Sequence, residues 1–259
     1  MVNKASSIRV SSNGKGRPQV DGSSMENELL LGLPSNEGDS IFSKLTFVQL
    51  RTHDVLHESE APIKFAYFMN SGLASILTVM EQGKNVEVGL VGKEGFVGIP
   101  LLVGFSTSHS QAVIQIEGSA FRISAQELAM VLSQSPTLKR KLHQYEQTFA
   151  IQATQVAACN RLHEVDERLA RWLLMSQDRI DSETIPLTHE FLAHMLGTRR
   201  SSVTVAAGLL SRAGLITYTR GHVKIENRDR LEDAACECYE QIQRYTDNWK
   251  KEAALQKSF

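Results

Sequence analysis

The stretch that decides the fold lies at residues 188–210 and reads THEFLAHMLGTRRSSVTVAAGLL. Thr188 is a predicted N-cap for a short helix, because a threonine hydroxyl can accept a hydrogen bond from a free backbone N–H of the first turn. Gly197 predicts the end of this helix, and Thr198 is the predicted N-cap of a second helix that runs to about Leu210. Two short helices joined at a glycine predict a helix-turn-helix.

The second helix begins with residue types that suit DNA recognition. Its first exposed turn contains Arg200, Ser201 and Ser202, and this end of a recognition helix enters the major groove. An arginine can donate two parallel hydrogen bonds to guanine, and a hydroxyl can serve a base or a phosphate. Taken alone, the same residues would also suit a helix end that simply faces water. The predicted DNA contacts of the two helices are Thr188, Thr198, Arg199, Arg200, Ser201, Ser202 and Thr204.

The residues that follow favour the DNA-binding interpretation. Residues 213–225, AGLITYTRGHVKI, alternate apolar and polar side chains around an Arg-Gly turn and so predict a two-stranded wing. Residues 187–230 contain seven basic and three acidic residues, although the whole chain has a formal net charge of −1. This local positive excess predicts a nucleic-acid face. Tyr218, Arg220, His222 and Lys224 are the wing residues expected to meet the sugar-phosphate backbone, although a solvated hairpin would use similar residues.

A long helix is predicted after Pro136, where apolar residues recur at intervals of four and three for three heptads. The predicted helix, of about 25 residues, overreaches a small β domain, so we expect its apolar seam to pair with a second copy of the chain. The alternative is that the seam packs on the β domain of its own chain. Gln152 is the polar residue expected to fix the register. The predicted dimer interface is Leu138, Leu142, Tyr145, Phe149, Gln152, Val156 and Cys159.

Residues 47–123 contain short β-rich runs punctuated by glycines, which predict a compact antiparallel sandwich or barrel. The fold class is therefore α+β: an N-terminal antiparallel β-roll of jelly-roll type, a long dimerisation helix and a C-terminal winged helix-turn-helix domain. A first helix is expected to start at Met25. The predicted boundaries are a disordered tail at 1–24, the β-roll at 25–135, the dimerisation helix at 136–160, the winged helix-turn-helix at 161–245 and a C-terminal tail at 246–259.

This order of parts resembles the Crp/Fnr superfamily of bacterial transcription regulators over residues 28–240. The resemblance implies that the β-roll is a sensor domain and that Arg200, Ser201 and Ser202 face DNA. Where the cyclic-AMP-binding member has a further base-reading arginine, this chain has Val205, so its operator should differ. The most specific similarities are Tyr67-Phe68, Ser71-Gly72, the run RLARWLL at 168–174, and residues 187–225.

The sensor departs from the pattern of the cyclic-nucleotide-binding members. Those members use a Gly-Glu-Leu turn for the ribose and an Arg-Ser/Thr pair for the phosphate, whereas this chain has Gly95-Phe96-Val97-Gly98 and Ser108-His109-Ser110. A bound phosphate would lack charge-assisted hydrogen bonds, so we expect no tight binding of a cyclic nucleotide. The implied function is a homodimeric regulator of a palindromic operator in double-stranded DNA. Its effector is an unknown small molecule or none, and RNA polymerase is a candidate partner.

Cysteine and histidine spacing predicts neither a metal nor a cofactor. Cys159, Cys236 and Cys238 fit neither a disulfide framework nor a four-ligand zinc or iron–sulfur site, and reduced thiols are expected. Cys159 could alternatively form an intermolecular disulfide or sense oxidants. The family's iron–sulfur branch uses four cysteines, mostly near the N-terminus, and its haem-binding members use sensor-domain ligands. Nothing singles out His53, His57 or His109 for that role.

The remaining function classes have weaker support. His189 and His194 lie five residues apart, whereas a zinc-protease helix needs a spacing of four, so no enzyme is expected. A sensory and dimerisation module that signals through protein partners without touching DNA is the alternative, and the complete helix-turn-helix with its wing argues against it. No apolar run of about 18 residues offers a membrane span, so we expect a cytoplasmic protein with no membrane partner.

Overall fold

The computed structural model describes residues 11–12, 18–80, 85–180, 182–219 and 221–255. Its strands are β1 (Ser11–Ser12), β2 (Pro18–Val20), β3 (Ser23–Ser24), β4 (Thr46–Leu50), β5 (Val55–His57), β6 (Phe65–Val79), β7 (Asn85–Val91), β8 (Phe96–Val97), β9 (Ser110–Ser124), β10 (Thr184–Pro186), β11 (Ile216–Thr219) and β12 (His222–Ile225). Its helices are α1 (Ser35–Phe42), α2 (Ala125–Gln134), α3 (Pro136–Leu162), α4 (Val165–Gln177), α5 (His189–Met195), α6 (Arg200–Arg212), α7 (Arg228–Ala234) and α8 (Cys238–Leu255), with a 3₁₀ turn at Ile99–Val103.

The β domain is built on an antiparallel sheet in the order β4-β9-β6-β7, with β5 paired to β9 and β8 paired to β6. The two 15-residue strands β6 and β9 pair antiparallel along their length, and their register shifts at Gly72, whose φ is +77°. A Cβ atom at Gly72 would lie 2.6 Å from the carbonyl oxygen of Ile116, so only glycine fits there. Phe68, Phe96 and Phe121 fill the interior. With the helical C-terminal part, this sheet confirms the predicted α+β class.

The N-terminal segment differs from the expectation. Strands β1, β2 and β3 form a small sheet, and Val20 and Met25 are fully buried in the core of the β domain, so the expected disordered tail is wrong for residues 18–24. Residues 1–10 and 13–17 of that tail lie outside the described residues. The helix expected from Met25 is also wrong, because residues 28–32 form turns and the first helix starts at Ser35. The buried amide of Asn27 explains the turns: it donates to the carbonyls of Met69 and Gly95.

Helix α8 extends the C-terminal part beyond the predicted boundary at 245. It begins beside the C-terminal turns of α3, where Gln155 donates a hydrogen bond to Cys238, and it ends near the β domain, where Lys250 pairs with Glu28. It therefore runs antiparallel to α3. The expected C-terminal tail is wrong for residues 246–255, and residues 256–259 lie outside the described part. Among the described residues, none of the helices combines enough length with enough apolar character to cross a bilayer.

The β domain and the C-terminal domain, which comprises α4 to α7 with β10 to β12, share one apolar cluster. Trp172 is fully buried in it, and its indole N–H donates a 2.7 Å hydrogen bond to the buried carboxyl of Glu87 in β7. The two domains therefore pack as one unit. The shared cluster contains Leu73, Leu77, Leu90 and Ile116 of the β domain with Leu169, Trp172, Leu173, Leu192 and Leu196 of the C-terminal domain.

Candidate nucleic-acid interface

The helix-turn-helix is formed by α5 and α6. Thr188 is the N-cap of α5, since its hydroxyl accepts a 3.2 Å hydrogen bond from the N–H of Phe191, as predicted. Gly197 ends this helix with a φ of +59°, a conformation that favours glycine. The N-cap prediction for Thr198 is wrong: its N–H donates to the carbonyl of Ala193, and Arg199 is the residue before α6. Gly197 is in the left-handed conformation, and the N–H of Thr198 bonds back to Ala193. The turn between the two helices therefore includes Thr198, and α6 begins one residue later than predicted.

The first turn of α6 presents its polar side chains to solvent. Arg199, Arg200 and Ser201 are exposed, and Ser202 is half-buried. Within the described part of the chain, neither Arg199 nor Arg200 has an ion-pair partner. Thr204 is also exposed, but its hydroxyl donates a hydrogen bond to the carbonyl of Arg200 in the same helix. Among the described residues, this turn therefore offers to DNA the guanidinium groups of Arg199 and Arg200 and the exposed hydroxyl of Ser201.

A contact between α5, α6 and the wing holds this turn in place. The ring of His189 lies over the ring of Tyr218 with centroids 4.2 Å apart, and its Nδ1 lies 3.0 Å from the hydroxyl of Thr204. Tyr218 donates to the carbonyl of Leu187, so its hydroxyl is occupied. Burial, and then the nearby Arg200, lower the pKa of His189. The neutral form of His189 is therefore favoured, and its ring packs against Tyr218.

The wing has three strands in the order β10-β12-β11, whereas the sequence predicted two. Its exposed residues include His222 and Lys224, and the ammonium of Lys224 lies 3.1 Å from the carboxylate of Glu226. Arg220 lies outside the described residues. Arg228, which contributed to the predicted positive excess, instead pairs with Asp178 at 2.6 Å and fastens α7 to the end of α4. Among the described cations of this region, Arg199 and Arg200 of α6 are therefore free to attract phosphate, whereas Lys224 of the wing is shared with Glu226.

The turn between α5 and α6 also faces the β domain. A cavity of about 770 Å³ separates Asn85 and Val86 of β7 from Thr198, Arg199 and Ser202. Next to it, the amide of Gln115 donates to the sulfur of Met195. Strand β7 of the β domain therefore lies close to the candidate recognition turn, since a Cβ atom at Gly197 would lie 3.4 Å from the side chain of Val86.

The structure contradicts the predicted dimer seam. Six of its seven residues are buried within their own chain, and Phe149 is half-buried against the β domain. Leu138, Leu142 and Tyr145 belong to the core of the β domain, so the alternative of packing on the chain's own β domain is correct for this part of the seam, whereas Cys159 packs on Cys236 and Cys238. The spacing identified the apolar face of α3 but could not identify what covers it. The buried residues are Leu138, Leu142, Tyr145, Gln152, Val156 and Cys159.

The positions expected to bind a cyclic nucleotide are filled by other contacts. Phe96, which stands where the ribose-binding carboxylate is expected, is buried with its ring centroid 4.9 Å from that of Phe68. At the expected phosphate position, the hydroxyls of Ser108 and Ser110 bond to each other at 2.8 Å. Aromatic packing therefore replaces the carboxylate, and a pair of hydroxyls replaces the cation.

Sequence reasoning missed one cluster of potential ligands. The thiols of Cys159, Cys236 and Cys238 and the imidazole of His163 have their ligand atoms within 4.8 Å of one another. The signal in the sequence was the spacing of four between Cys159 and His163, which places both side chains on one face of a helix. The pair Cys236 and Cys238 is 77 residues further along the chain, and the sequence could not bring it to that face.

Two family models match the chain, and the shared fold is confirmed by solved structures. Residues 47–135 match the cyclic nucleotide-binding domain, and residues 167–234 match the Crp-like helix-turn-helix domain. FixK2 from Bradyrhizobium japonicum is 16% identical with a TM-score of 0.62, covering 74% of this chain and 98% of its own. No curated protein matches this sequence.

Two further solved structures show the same fold. The c-di-GMP responsive global regulator CLP of Xanthomonas campestris is 16% identical with a TM-score of 0.63, over 75% of this chain and all of its own. TTHB099, a Crp-family transcriptional regulator from Thermus thermophilus, is 18% identical with a TM-score of 0.59, over 73% of this chain and 96% of its own. With the two domain models matched in this order along one chain, the protein belongs to the Crp/Fnr family of DNA-binding transcription regulators.

Proposed function

We propose that this regulator binds a palindromic operator as a homodimer, reads it with the first turn of α6, and needs no cyclic nucleotide to do so. The observation that carries the proposal is the exposed set Arg199, Arg200 and Ser201 at the start of α6, beside a wing that exposes Lys224. Base-reading groups and phosphate-binding groups on adjacent elements are what a winged helix-turn-helix brings to a major groove.

Individual residues of α6 have distinct roles in this proposal. Arg200 grips a guanine through O6 and N7, an interaction that discriminates against other bases by about 1–3 kcal/mol. Val205 lies one turn further along, and 63% of its surface is exposed although it is apolar. Its methyl groups suit the methyl group of a thymine. Arg199 and Lys224 neutralise phosphates and fix the position of the helix.

The dimer uses the face of α3 that its own chain leaves open. The side chains of this outer face are exposed or half-buried, and they recur at intervals of four and three, as helix pairing requires. The small side chains of Ala150 and Ala157 permit a close approach of two helices. Family members are typically dimeric, which supports the proposal. The outer face consists of His143, Gln147, Ala150, Thr154, Ala157 and Arg161.

Independence from cyclic nucleotides is supported by the interior of the β domain. A nucleotide at the usual place would have to displace the packed rings of Phe68 and Phe96, and the sequence has no arginine next to Ser108 to hold its phosphate. Displacing a buried aromatic ring costs about 3–5 kcal/mol, which the few remaining polar contacts would not recover. The sensor therefore works with another effector or with none.

The test is selection of bound sites from a random duplex library by the purified full chain, with no nucleotide added. We expect a palindrome whose half-sites are about 10–10.5 base pairs apart, centre to centre. Arg200→Ala should remove the preference at one base pair of each half-site. Arg212→Ala, at the opposite end of the same helix, is the matched control and should leave the motif unchanged.

Two outcomes would overturn the proposal. If a motif is enriched only when cyclic AMP or cyclic GMP is present, the protein depends on a nucleotide. If no motif is enriched under either condition, the chain signals without reading DNA. An unchanged motif with Arg200→Ala would place base recognition on other residues.

A further inference from the structure

Four potential metal ligands meet where the long helix ends and the last helix begins. Cys159 lies in the last turn of α3, and His163 is the residue that caps this helix. Cys236 and Cys238 lie immediately before and at the start of α8. The Sγ atoms of Cys159 and Cys236 are 3.4 Å apart, and the Sγ of Cys238 is 3.5 Å from Nδ1 of His163. None of these side chains takes part in the proposed DNA contacts.

The distances match a tetrahedral site. With zinc–sulfur bonds of about 2.3 Å and a zinc–nitrogen bond of about 2.0 Å, a tetrahedron places two sulfurs about 3.8 Å apart and a sulfur and a nitrogen about 3.5 Å apart. The four ligand atoms here lie within 4.8 Å of one another, a space that holds one ion and not a cluster of several irons. The three cysteines are buried, as expected of a closed structural site with no open position for a substrate.

Neighbouring side chains orient the candidate ligands. The carboxylate of Glu237 lies 3.9 Å from Nε2 of His163, which leaves Nδ1 to face the three thiols. A carboxylate on the second nitrogen of a histidine is the usual support of a metal-bound imidazole. The amide of Gln155 donates a 3.2 Å hydrogen bond to Cys238, an arrangement that suits a thiolate better than a thiol.

Two buried arginines supply the charge that such a site requires. Three thiolates and one Zn²⁺ carry a net charge of about −1, which needs a nearby cation in a buried place. Arg168 and Arg171 of α4 are both buried, both interact electrostatically with Cys159, and the Nε–H of each has no acceptor among the described residues. Buried guanidinium groups are costly without counter-charge, and the thiolates provide it.

We propose that Cys159, His163, Cys236 and Cys238 bind one Zn²⁺ ion in a tetrahedral structural site. The expectation of no metal rested on sequence spacing, which could not show that α8 folds back onto α3. Binding releases one proton from each thiol, and the neutral imidazole donates through Nδ1. The ion fastens the start of α8 to the junction of α3 and α4, the junction that connects the sensor to the DNA-binding helices.

The experiment uses the full chain, stripped with a chelator under reducing conditions and reloaded with Zn²⁺ or Co²⁺ alone. We expect about one zinc per chain to survive gel filtration. The Co²⁺ form should show the intense visible bands of tetrahedral cobalt and sulfur-to-cobalt charge-transfer bands. Cys159→Ser, Cys236→Ser, Cys238→Ser and His163→Gln should each reduce bound zinc close to zero, while circular dichroism checks that the fold remains. His109→Gln, exposed on the β domain, is the control that should keep the full equivalent.

A second variant separates loss of ligands from loss of fold. Cys238→His leaves four ligands with two thiolates, so zinc should still bind while the charge-transfer intensity of the Co²⁺ form falls by about a third. The proposal is overturned if the reduced wild-type chain retains no zinc, or if Co²⁺ shows only weak octahedral bands. It is also overturned if the native protein contains a disulfide between Cys159 and Cys236, whose sulfurs would have to close from 3.4 Å to about 2.05 Å.

Discussion

Trp172 of α4 donates a hydrogen bond to Glu87 of β7, and this bond connects the DNA-binding half of the chain to the sheet of the β domain. The second oxygen of Glu87 accepts a 2.5 Å hydrogen bond from the hydroxyl of Ser75. The carboxyl is therefore completely enclosed between the two domains. Its protonation state consequently affects the free energy with which the two domains pack together.

The first prediction concerns the pH dependence of stability. Burial raises the pKa of Glu87 to about 7, against the opposing effects of the hydrogen bonds from Ser75 and Trp172. The folded protein therefore holds a proton that the unfolded chain releases at lower pH. This contribution to the free energy of unfolding is greatest below about pH 4.5 and is lost as the pH rises to about 7, on the order of 3 kcal/mol in all.

Glu87→Gln can still accept from Trp172 and donate its amide N–H to the hydroxyl of Ser75, and it removes the titration. Its stability relative to wild type should therefore increase between about pH 4.5 and 7 and then level off. Urea unfolding at a series of pH values measures the difference. Glu117→Gln, at an exposed position of β9, is the control and should show no such trend. A constant difference between Glu87→Gln and wild type across this range would mean that Glu87 is ionised in the folded protein.

The second prediction concerns the turn of the helix-turn-helix. Gly197 has a φ of +59°, and a Cβ atom there would meet Val86 at an ordinary 3.4 Å, so the cost of Gly197→Ala is conformational. We expect a loss of about 1–2 kcal/mol in the free energy of unfolding. Gly208→Ala, inside α6, should instead stabilise by about 0.5–1 kcal/mol. Chemical denaturation measures the free energy of unfolding of both variants. If the two substitutions change it equally, the turn at Gly197 is not strained.

The third prediction separates phosphate contacts from base contacts. Lys224→Ala should weaken binding to all duplexes alike and reduce the slope of log affinity against log salt by about 0.9, the value for one phosphate. Fluorescence anisotropy at several salt concentrations measures this slope. Lys44→Ala, exposed on the β domain, is the matched control and should not change it. If the two variants have the same slope as wild type, Lys224 does not contact DNA.

The fourth prediction tests the outer face of α3. Ala157→Glu places like charges opposite each other in a symmetric pair, so we expect the protein to sediment as a monomer and to bind one half-site weakly. Ser133→Glu, exposed on α2, adds the same charge elsewhere and should stay dimeric. If Ala157→Glu remains a dimer, the outer face of α3 is not the dimer interface.

The helix-turn-helix was predictable because its signals are local. The hydroxyl of Thr188, the left-handed Gly197 and the apolar face around Leu192 act within one or two turns of the chain, and the structure contains each of them. Only the N-cap of α6 was misplaced, since nothing in the sequence shows whether Gly197 is followed by a further turn residue.

The long-range features were not predictable, for a physical reason. The heptad spacing of Leu138 and Leu142 reports that one face of α3 is apolar, and a β-sheet covers such a face as well as a second helix does. The meeting of Cys159 with Cys236 depends on the direction in which α8 returns, which short-range patterns do not encode. Arg228 contributed to the predicted positive face only because its partner Asp178 is 50 residues away.

The distance along the chain between the two halves of the cysteine cluster determines when the cluster can form during translation. Cys159 leaves the ribosome 77 residues before Cys236, an interval of about 4–15 s at ordinary rates of translation. During that interval, the nascent chain contains the thiol of Cys159 but not yet those of Cys236 and Cys238. The thiols can meet only after the β domain and the helix-turn-helix have been synthesised, so the closing of this corner is a late event in the maturation of the protein.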